Sequence, residues 1–378
     1  MSIHFNKSEV TALLAFVNPY LTSKSHALCL SIQAGRLKLF ASENIAGGSV
    51  LVSIPLENKT ADHDWFAVDG IALRDLVALQ DDGAQIEIEF NDKISSLALS
   101  FPRSHAELRF ASLWTSPDAV RFRTCSAVIK GQDLNVMATI TEAASDDIAR
   151  PNLQGVFIAP HAGELETAAA DGFVLSHVAI KSEQSKDANG AVYSAEAINR
   201  VKRALKPVDD EDIHLGIEKS GLTISMQRDK ALITMHIPTV TDQFVDYKQL
   251  LKIPQSLSID LPTSTFDKMI KRMKSIGGNV YFQVTGGCFW FMIQSEEIGK
   301  SIESMPVEVK EESPLMAFQV STLQDVTKAC APNGHVTIVF PQNERSPLFF
   351  KGQAEALAMP LAHEMKESPF KNLQPSLI

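Results

Sequence analysis

Few of the residues able to do chemistry stand at a spacing that chemistry requires. His161 and Glu164 are close, and Asp171-Gly172 has the form of a carboxylate at the end of a strand, but neither has the further members a catalytic constellation needs. The sequence has no nucleophile elbow, no phosphate-cradling glycine loop, no HExxH and no Cys-x-x-Cys. Its four cysteines, at 29, 125, 288 and 330, are not paired at metal-ligand spacing, and so few in this length suit a reducing cytoplasm. His4, His26, His63, His105, His335 and His363 are scattered, as surface or core histidines are. Positive charge does cluster. Arg200, Lys202, Arg203 and Lys206 crowd one stretch and Lys268, Lys271, Arg272 and Lys274 another, with Lys24, Arg74, Arg150 and Lys328 as isolated additions. Any solvated helix face carries lysines. Pooled on particular helices of a chain with net charge −10, they form local basic surfaces on an acidic protein.

The elements that must position these residues follow from periodicity. Val10, Leu13, Leu14, Val17 and Leu21 recur at helical spacing behind Ser8 as the expected cap, with Pro19 ending or kinking the helix. Strands at 28–32, 37–40 and 49–55 follow, then a helix over 71–79 and strands at 85–90, 96–101 and 107–111. The middle third runs the same way. Leu134, Met137, Ile140, Ala144 and Ile148 mark a helix; strands follow at 155–158, 164–168 and 174–180, then a helix over 195–205 and strands at 213–217, 222–227 and 231–237. Asp171-Gly172 supplies the positive φ of a tight turn between two of these strands. In the last third, Phe266, Met269, Ile270, Met273 and Ile276 mark a helix, Gly286-Gly287 turns a hairpin, and a helix over 322–331 precedes strands at 336–340, 348–350 and 356–361.

The second helices are expected to begin near Ala67, Tyr193 and Gln319, a spacing of 126 residues (193 − 67 and 319 − 193), one third of the 378-residue chain. Constant order at constant period reads as triplication. The expected class is α+β: three tandem modules at 1–120, 121–250 and 251–361, then a tail at 362–378. Neither joint is rich in Gly or Ser, so the modules are expected to pack continuously. No basic, apolar leader opens the sequence and no apolar run reaches membrane-spanning length, so no membrane partner is expected.

Three such modules resemble the bacterial DNA sliding clamp, the β subunit of DNA polymerase III. The likeness rests on four words in order. Arg150-Pro151-Asn152-Leu153-Gln154-Gly155 is similar to the family's arginine–x–x–leucine–x–glycine strand, and Ala170-Asp171-Gly172-Phe173-Val174-Leu175 to its threonine–aspartate–glycine–histidine–arginine–leucine word. Phe244-Val245-Asp246-Tyr247 resembles its phenylalanine–proline–aspartate–tyrosine turn, and Ala356-Leu357-Ala358-Met359-Pro360-Leu361 its closing valine–valine–methionine–proline–methionine run. The first module matches in pattern only. Phe173-Val174 stand where the family has His-Arg, Val245 replaces a proline, and the chain runs seventeen residues past the family's usual end, Ala362–Ile378, so it reads as a divergent clamp with an extension.

The resemblance implies a non-catalytic processivity factor: a head-to-tail homodimer, each chain half of a closed ring, encircling duplex DNA without regard to sequence and tethering polymerase, clamp loader and other clamp-motif proteins. It implies no cofactor and a cytoplasmic place. The DNA-facing residues would be Lys24, Arg74, Arg150, Arg200, Lys202, Arg203, Lys271, Arg272, Lys274 and Lys328, reaching phosphate from helices. The ring joints would use Leu108 and Phe110 against Met273 and Ile276. A pocket for partner peptides would be built from Leu153, Gly172, Phe173, Val174, Leu175, Val245, Gln249, Leu250, Leu357, Ala358, Met359, Pro360 and Leu361. The tail's Gln374-Pro375-Ser376-Leu377-Ile378 resembles the partners' own motif and would dock in that pocket or a neighbour's. Two other readings stand beside this one: a clamp-like decoy or regulator that binds clamp partners without encircling DNA, and an uncharacterised enzyme.

Overall fold

The computed structural model describes residues 2–43, 47–56, 61–91, 94–112, 124–182, 189–295, 297–331, 334–363, 365, 367–371 and 373. Among these residues are six α-helices, α1 (Lys7–Val17), α2 (Gly70–Ala78), α3 (Gly131–Thr139), α4 (Ala195–Leu205), α5 (Thr263–Lys274) and α6 (Val320–Cys330). Each follows directly on a strand: Ser2–Asn6, His63–Asp69, Ala127–Lys130, Ala191–Ser194, Gln255–Pro262 and Met316–Gln319, respectively. The starts of α2, α4 and α6, at Gly70, Ala195 and Val320, are evenly spaced along the chain.

Three strands follow each of α1, α3 and α5 before the next helix-bearing strand: Ala27–Gln33, Arg36–Glu43 and Gly48–Pro55; Gly155–His161, Glu164–Ala170 and Val174–Lys181; Asn279–Thr285, Cys288–Ser295 and Gly299–Pro306. Three more follow each of α2, α4 and α6: Gln85–Asn91, Ser96–Phe101 and Ser104–Arg109; Asp212–Glu218, Gly221–Arg228 and Ala231–Thr241; His335–Pro341, Leu348–Lys351 and Glu355–Ala358; after α2 a further two-residue strand, Ala111–Ser112, pairs back with His63–Asp69. The architecture is α+β, with antiparallel sheets throughout.

The strands carry the chain from one repeat to the next. Gly48–Pro55 pairs antiparallel with Ala231–Thr241, setting Val52 opposite Ile233. Val174–Lys181 pairs in the same way with Glu355–Ala358, setting Leu175 opposite Leu357. A four-stranded sheet lies at each end: one runs from Ser2–Asn6 to Ser104–Arg109, the other from Met316–Gln319 to Gly299–Pro306. Helices cover one face of these sheets. Phe266 on α5 meets Phe291, and residues 282, 289 and 291 lie on that covered face of the last sheet. One apolar core runs through all three repeats.

Local chemistry explains the boundaries. The cap of α1 is Asn6 rather than Ser8; its N–H donates to the Glu9 carboxylate three residues on, at 2.7 Å. The helix passes into a 3-10 turn at Asn18–Tyr20, where Pro19 stands. In the middle repeat the expected helix stops early. The hydroxyls of Thr139 and Thr141 donate back to the carbonyls of Val136 and Ala138, and α3 tightens into a 3-10 turn over Ile140–Ala143. Ile148, read as part of its apolar face, is instead 84 % exposed in a loop. The Gly286-Gly287 hairpin forms as expected, both glycines having positive φ.

Candidate functional site

The Asp171-Gly172 turn lies where the second and third repeats join. The Asp171 carboxylate accepts from the backbone N–H groups of Phe173 and Val174, at 2.7 and 2.6 Å, and so fixes the turn. Gly172 has φ +102°, a conformation that favours glycine. The neighbouring strand closes beside it: Val174 is opposite Ala358, and Met359 N–H donates to the Phe173 carbonyl at 2.8 Å. Under this seam lies a small apolar cluster separate from the main core. Leu153, Leu175 and Leu357 are buried in it, with Leu250 and Met359 packed against it. Five residues from four distant segments of the expected pocket therefore meet. Phe173 and Val245 stand exposed, at 56 % and 38 %.

Other expected pocket residues do other things. Val174 and Ala358 turn to the opposite face and enter the main core, as strand alternation demands of neighbours of Leu175 and Leu357. Gln249 is tied to Asp246 at 2.9 Å, and Leu361 N–H donates to Ala317 of the last sheet. Pro360 lies between these points, half-buried. Arg150, grouped by sequence with the DNA-facing cations, lies at this turn: its guanidinium reaches the Asp171 carbonyl at 3.0 Å and the Asp147 carboxylate at 2.9 Å.

Beside the seam is a cleft of about 630 Å³ lined by Phe157, Glu166, Phe244, Val245, Tyr247 and Lys248, among others. Phe244 stacks on Phe157 with ring centroids 5.1 Å apart. The Tyr247 hydroxyl donates to Glu166, and the Lys248 ammonium bonds the same carboxylate at 2.9 Å. Burial works to raise the Glu166 pKa, but the Tyr247 and Lys248 donors outweigh it and hold the carboxyl below its usual range. Sequence reasoning found Val245 but missed Glu166 and the Phe157–Phe244 stack, whose members are far apart in the chain and carry no local signal. Another cleft, of about 610 Å³, lies between strand Ser2–Asn6, α1 and the turn at Arg228–Ala231, and holds none of the expected site residues.

The cations divide into three kinds. Arg200 is the clear correction: it is 6 % exposed, its guanidinium is 2.9 Å from the buried Glu43 and it sits over the Tyr20 ring. It ties α4 to the preceding repeat and faces no solvent. Lys24 is exposed and Lys202 half-buried, while Arg203, Lys271 and Lys274 are exposed on α4 and α5 with side-chain partners on their own or a neighbouring helix. Arg74 on α2 reaches Asp75 and Asn18, and Lys328 on α6 lies 3.4 Å from Glu142 across a joint. Arg272 points to the sheet edge, where its Nε donates to Glu303 of strand Gly299–Pro306 at 2.8 Å.

Of the expected joint residues, Leu108 is half-buried on strand Ser104–Arg109, at the margin of the first sheet. Phe110 is half-buried against Phe66, with centroids 4.5 Å apart, and Ile276 is half-buried just beyond α5. Met273 is core, 1 % exposed. His161 and Glu164 are cross-strand partners at a hairpin turn, which accounts for their closeness. Among the described residues no three His, Cys, Asp or Glu side chains gather as a metal ion requires, and no helix is long and apolar enough to cross a membrane.

The sequence matches no protein-family model and no curated protein. The structure matches solved structures over nearly its whole length. It superposes on the DNA polymerase III subunit beta from Pseudomonas aeruginosa with TM-score 0.82 at 15 % identity, covering 96 % of this chain and 100 % of that one. The corresponding protein from Thermotoga maritima gives 0.80 at 16 %, and the DNA polymerase sliding clamp from Bacillus subtilis 0.81 at 15 %, with the same coverage. Element order, sheet pairing and full-length superposition agree: the chain has the fold of the bacterial DNA sliding clamps.

Proposed function

We propose that the protein is a sliding clamp, a non-catalytic ring that encircles duplex DNA and tethers replication or repair proteins to it. One regularity of strand pairing carries this reading. Take each repeat as the strand–helix–four strands–helix–three strands unit, with boundaries near 120, 250 and 361. At both internal joints, the third strand after a repeat's first helix pairs with the last strand of the next repeat: Gly48–Pro55 with Ala231–Thr241, and Val174–Lys181 with Glu355–Ala358. The same rule assigns Gly299–Pro306 of the third repeat to a strand equivalent to Ser104–Arg109 of a first repeat. Those two strands lie at the margins of the two end sheets. A second copy satisfies both margins at once, giving a two-fold assembly with two identical joints and no open sheet edge there. Leu108 and the Arg272–Glu303 pair lie at that joint, whereas Met273 contributes only core packing.

Helices then face the enclosed space, and the exposed cations Arg203, Lys271, Lys274 and Lys328, together with the half-buried Lys202, reach phosphate without reading bases. The seam at Gly172 takes a short partner segment. Phe173, Val245 and Met359 receive apolar side chains, and Arg150 receives an acidic group or a backbone carbonyl. Native mass and retention on nicked circular DNA test the assembly. The expected result is a species of twice the 41.4 kDa chain that stays on closed circles once loaded. A single-chain species at micromolar concentration overturns the ring and favours the decoy.

A further inference from the structure

Beyond Leu361 the chain crosses the outer face of the last sheet, the face turned away from α5 and α6. His363 Nε2 donates to the Leu315 carbonyl at 3.2 Å, and its ring meets Tyr281 edge-on at 5.9 Å. A tight turn follows, with Phe370 N–H donating to the Ser368 hydroxyl and Leu373 N–H to the Phe370 carbonyl. It drives Phe370 flat onto Trp290, with centroids 5.9 Å apart and planes 20° apart. Phe370 is 1 % exposed and Trp290 2 %. They share a cluster with Cys288, Met292 and Leu315, against which Tyr281, Ile302, Met365 and Leu373 pack.

The first repeat supplies an internal comparison. The matching outer face of its four-stranded sheet carries His4, Glu87, Glu89, His105, Glu107 and Arg109. That face is built for water. The face with Cys288, Trp290 and Met292 is built to be covered, and the chain's own tail covers it. Ile302 ties this cover to the sheet margin, because it belongs to strand Gly299–Pro306 and lies opposite Met292. Glu303, on the other face of that strand, is held by Arg272.

We propose that the segment carrying His363, Met365, Phe370 and Leu373 is an intramolecular strap whose seating on this face holds strand Gly299–Pro306 in pairing position, so that closure of the ring depends on this stretch of the chain's own sequence. This rests on the sliding-clamp reading for what the strand pairs with. The expected peptide-like end, Gln374–Ile378, lies outside the described residues; the residues that lead to it run over the last sheet, not into the Gly172 seam.

The test compares the full chain, a chain ending at Leu361, and Phe370→Ala in the full chain. Ultracentrifugation gives the dimer Kd and hydrogen exchange follows residues 299–306. Both variants are expected to raise the Kd at least tenfold and to speed exchange at 299–306, leaving 104–109 of the free monomer unchanged. A synthetic 362–378 peptide added to the truncated chain is expected to reverse both effects. Should truncation prevent folding, Phe370→Ala in the full chain decides alone. A dimer whose Kd and edge exchange ignore the tail overturns the strap and leaves the ring standing. A full chain that never dimerises overturns the ring, and with it the coupling.

Discussion

At the residue scale, the buried cation Arg200 shows how a side chain that reads as a DNA contact can be structural. Its pairing with Glu43 leaves both groups within 8 % of full burial, and Glu196 adds a second carboxylate at 3.2 Å. Removing one member of such a pair leaves the other charged and dry. Arg200→Ala is therefore expected to cost about 3–5 kcal/mol in chemical denaturation, whereas replacing both Arg200 and Glu43 with apolar residues of similar volume is expected to be close to neutral. A second ion pair sets a pH dependence. The Arg228 guanidinium bonds Glu211 at 2.8 and 2.5 Å and holds its carboxyl below the usual carboxylate range. A folded-state pKa below the unfolded one gives stability that is present above the unfolded value and is lost as pH falls through the folded one. Glu211→Gln is thus expected to lower stability at neutral pH and to flatten its decline between about pH 5 and pH 3, as read from denaturation midpoints. Nothing in local sequence marks either pair. Arg200 and Glu43 are joined only when α4 packs against an earlier repeat.

At the scale of elements, the Gly172 seam invites a direct test. Phe173 is over half exposed, so Phe173→Ala should change stability by less than about 0.5 kcal/mol. If the seam takes a leucine-bearing peptide, the same change is expected to weaken binding at least tenfold, about 1.4 kcal/mol, by calorimetry. Equal affinity for both proteins would remove Phe173 from the site. How much of this was legible follows from what each element shows to water. The helices α4 and α5 declare themselves through sharp amphipathic periodicity, and the 280–293 hairpin through alternation around two glycines. Strands Ser2–Asn6 and Gly299–Pro306, both sheet margins, escaped notice, as did the strands that lead into α2, α3, α4 and α5. The second, Gly-Lys-Ser-Ile-Glu-Ser-Met-Pro, has little apolar alternation, as suits an open sheet margin that must tolerate solvent. The seam was legible as words, but which neighbours face it was not. A one-residue step along the strand sends Val174 into the main core and Leu175 into the cluster, a distinction made only by the pairing register.

At the scale of the whole molecule, encirclement and adhesion predict different responses to salt and to DNA ends. Exposed cations such as Arg203, Lys271 and Lys328 can hold phosphate electrostatically, and that attraction falls steeply as salt releases the advantage of counterion displacement. A closed ring adds a link that no salt can screen. On nicked circles the loaded protein is expected to persist at about 0.5 M salt, a concentration at which phosphate contacts alone would be largely lost. Cutting the circle once gives the ring an end to slide past, so the same protein should leave within the time of the cut at unchanged salt. If the charges guide the duplex and the joints retain it, Lys202→Glu with Lys271→Glu should slow loading yet leave the lifetime on the intact circle unchanged. Gel filtration of the reaction before and after linearisation reads both. Loss from intact circles in step with salt would mean that charge alone holds the protein, and that the two sheet margins never meet a second copy around DNA.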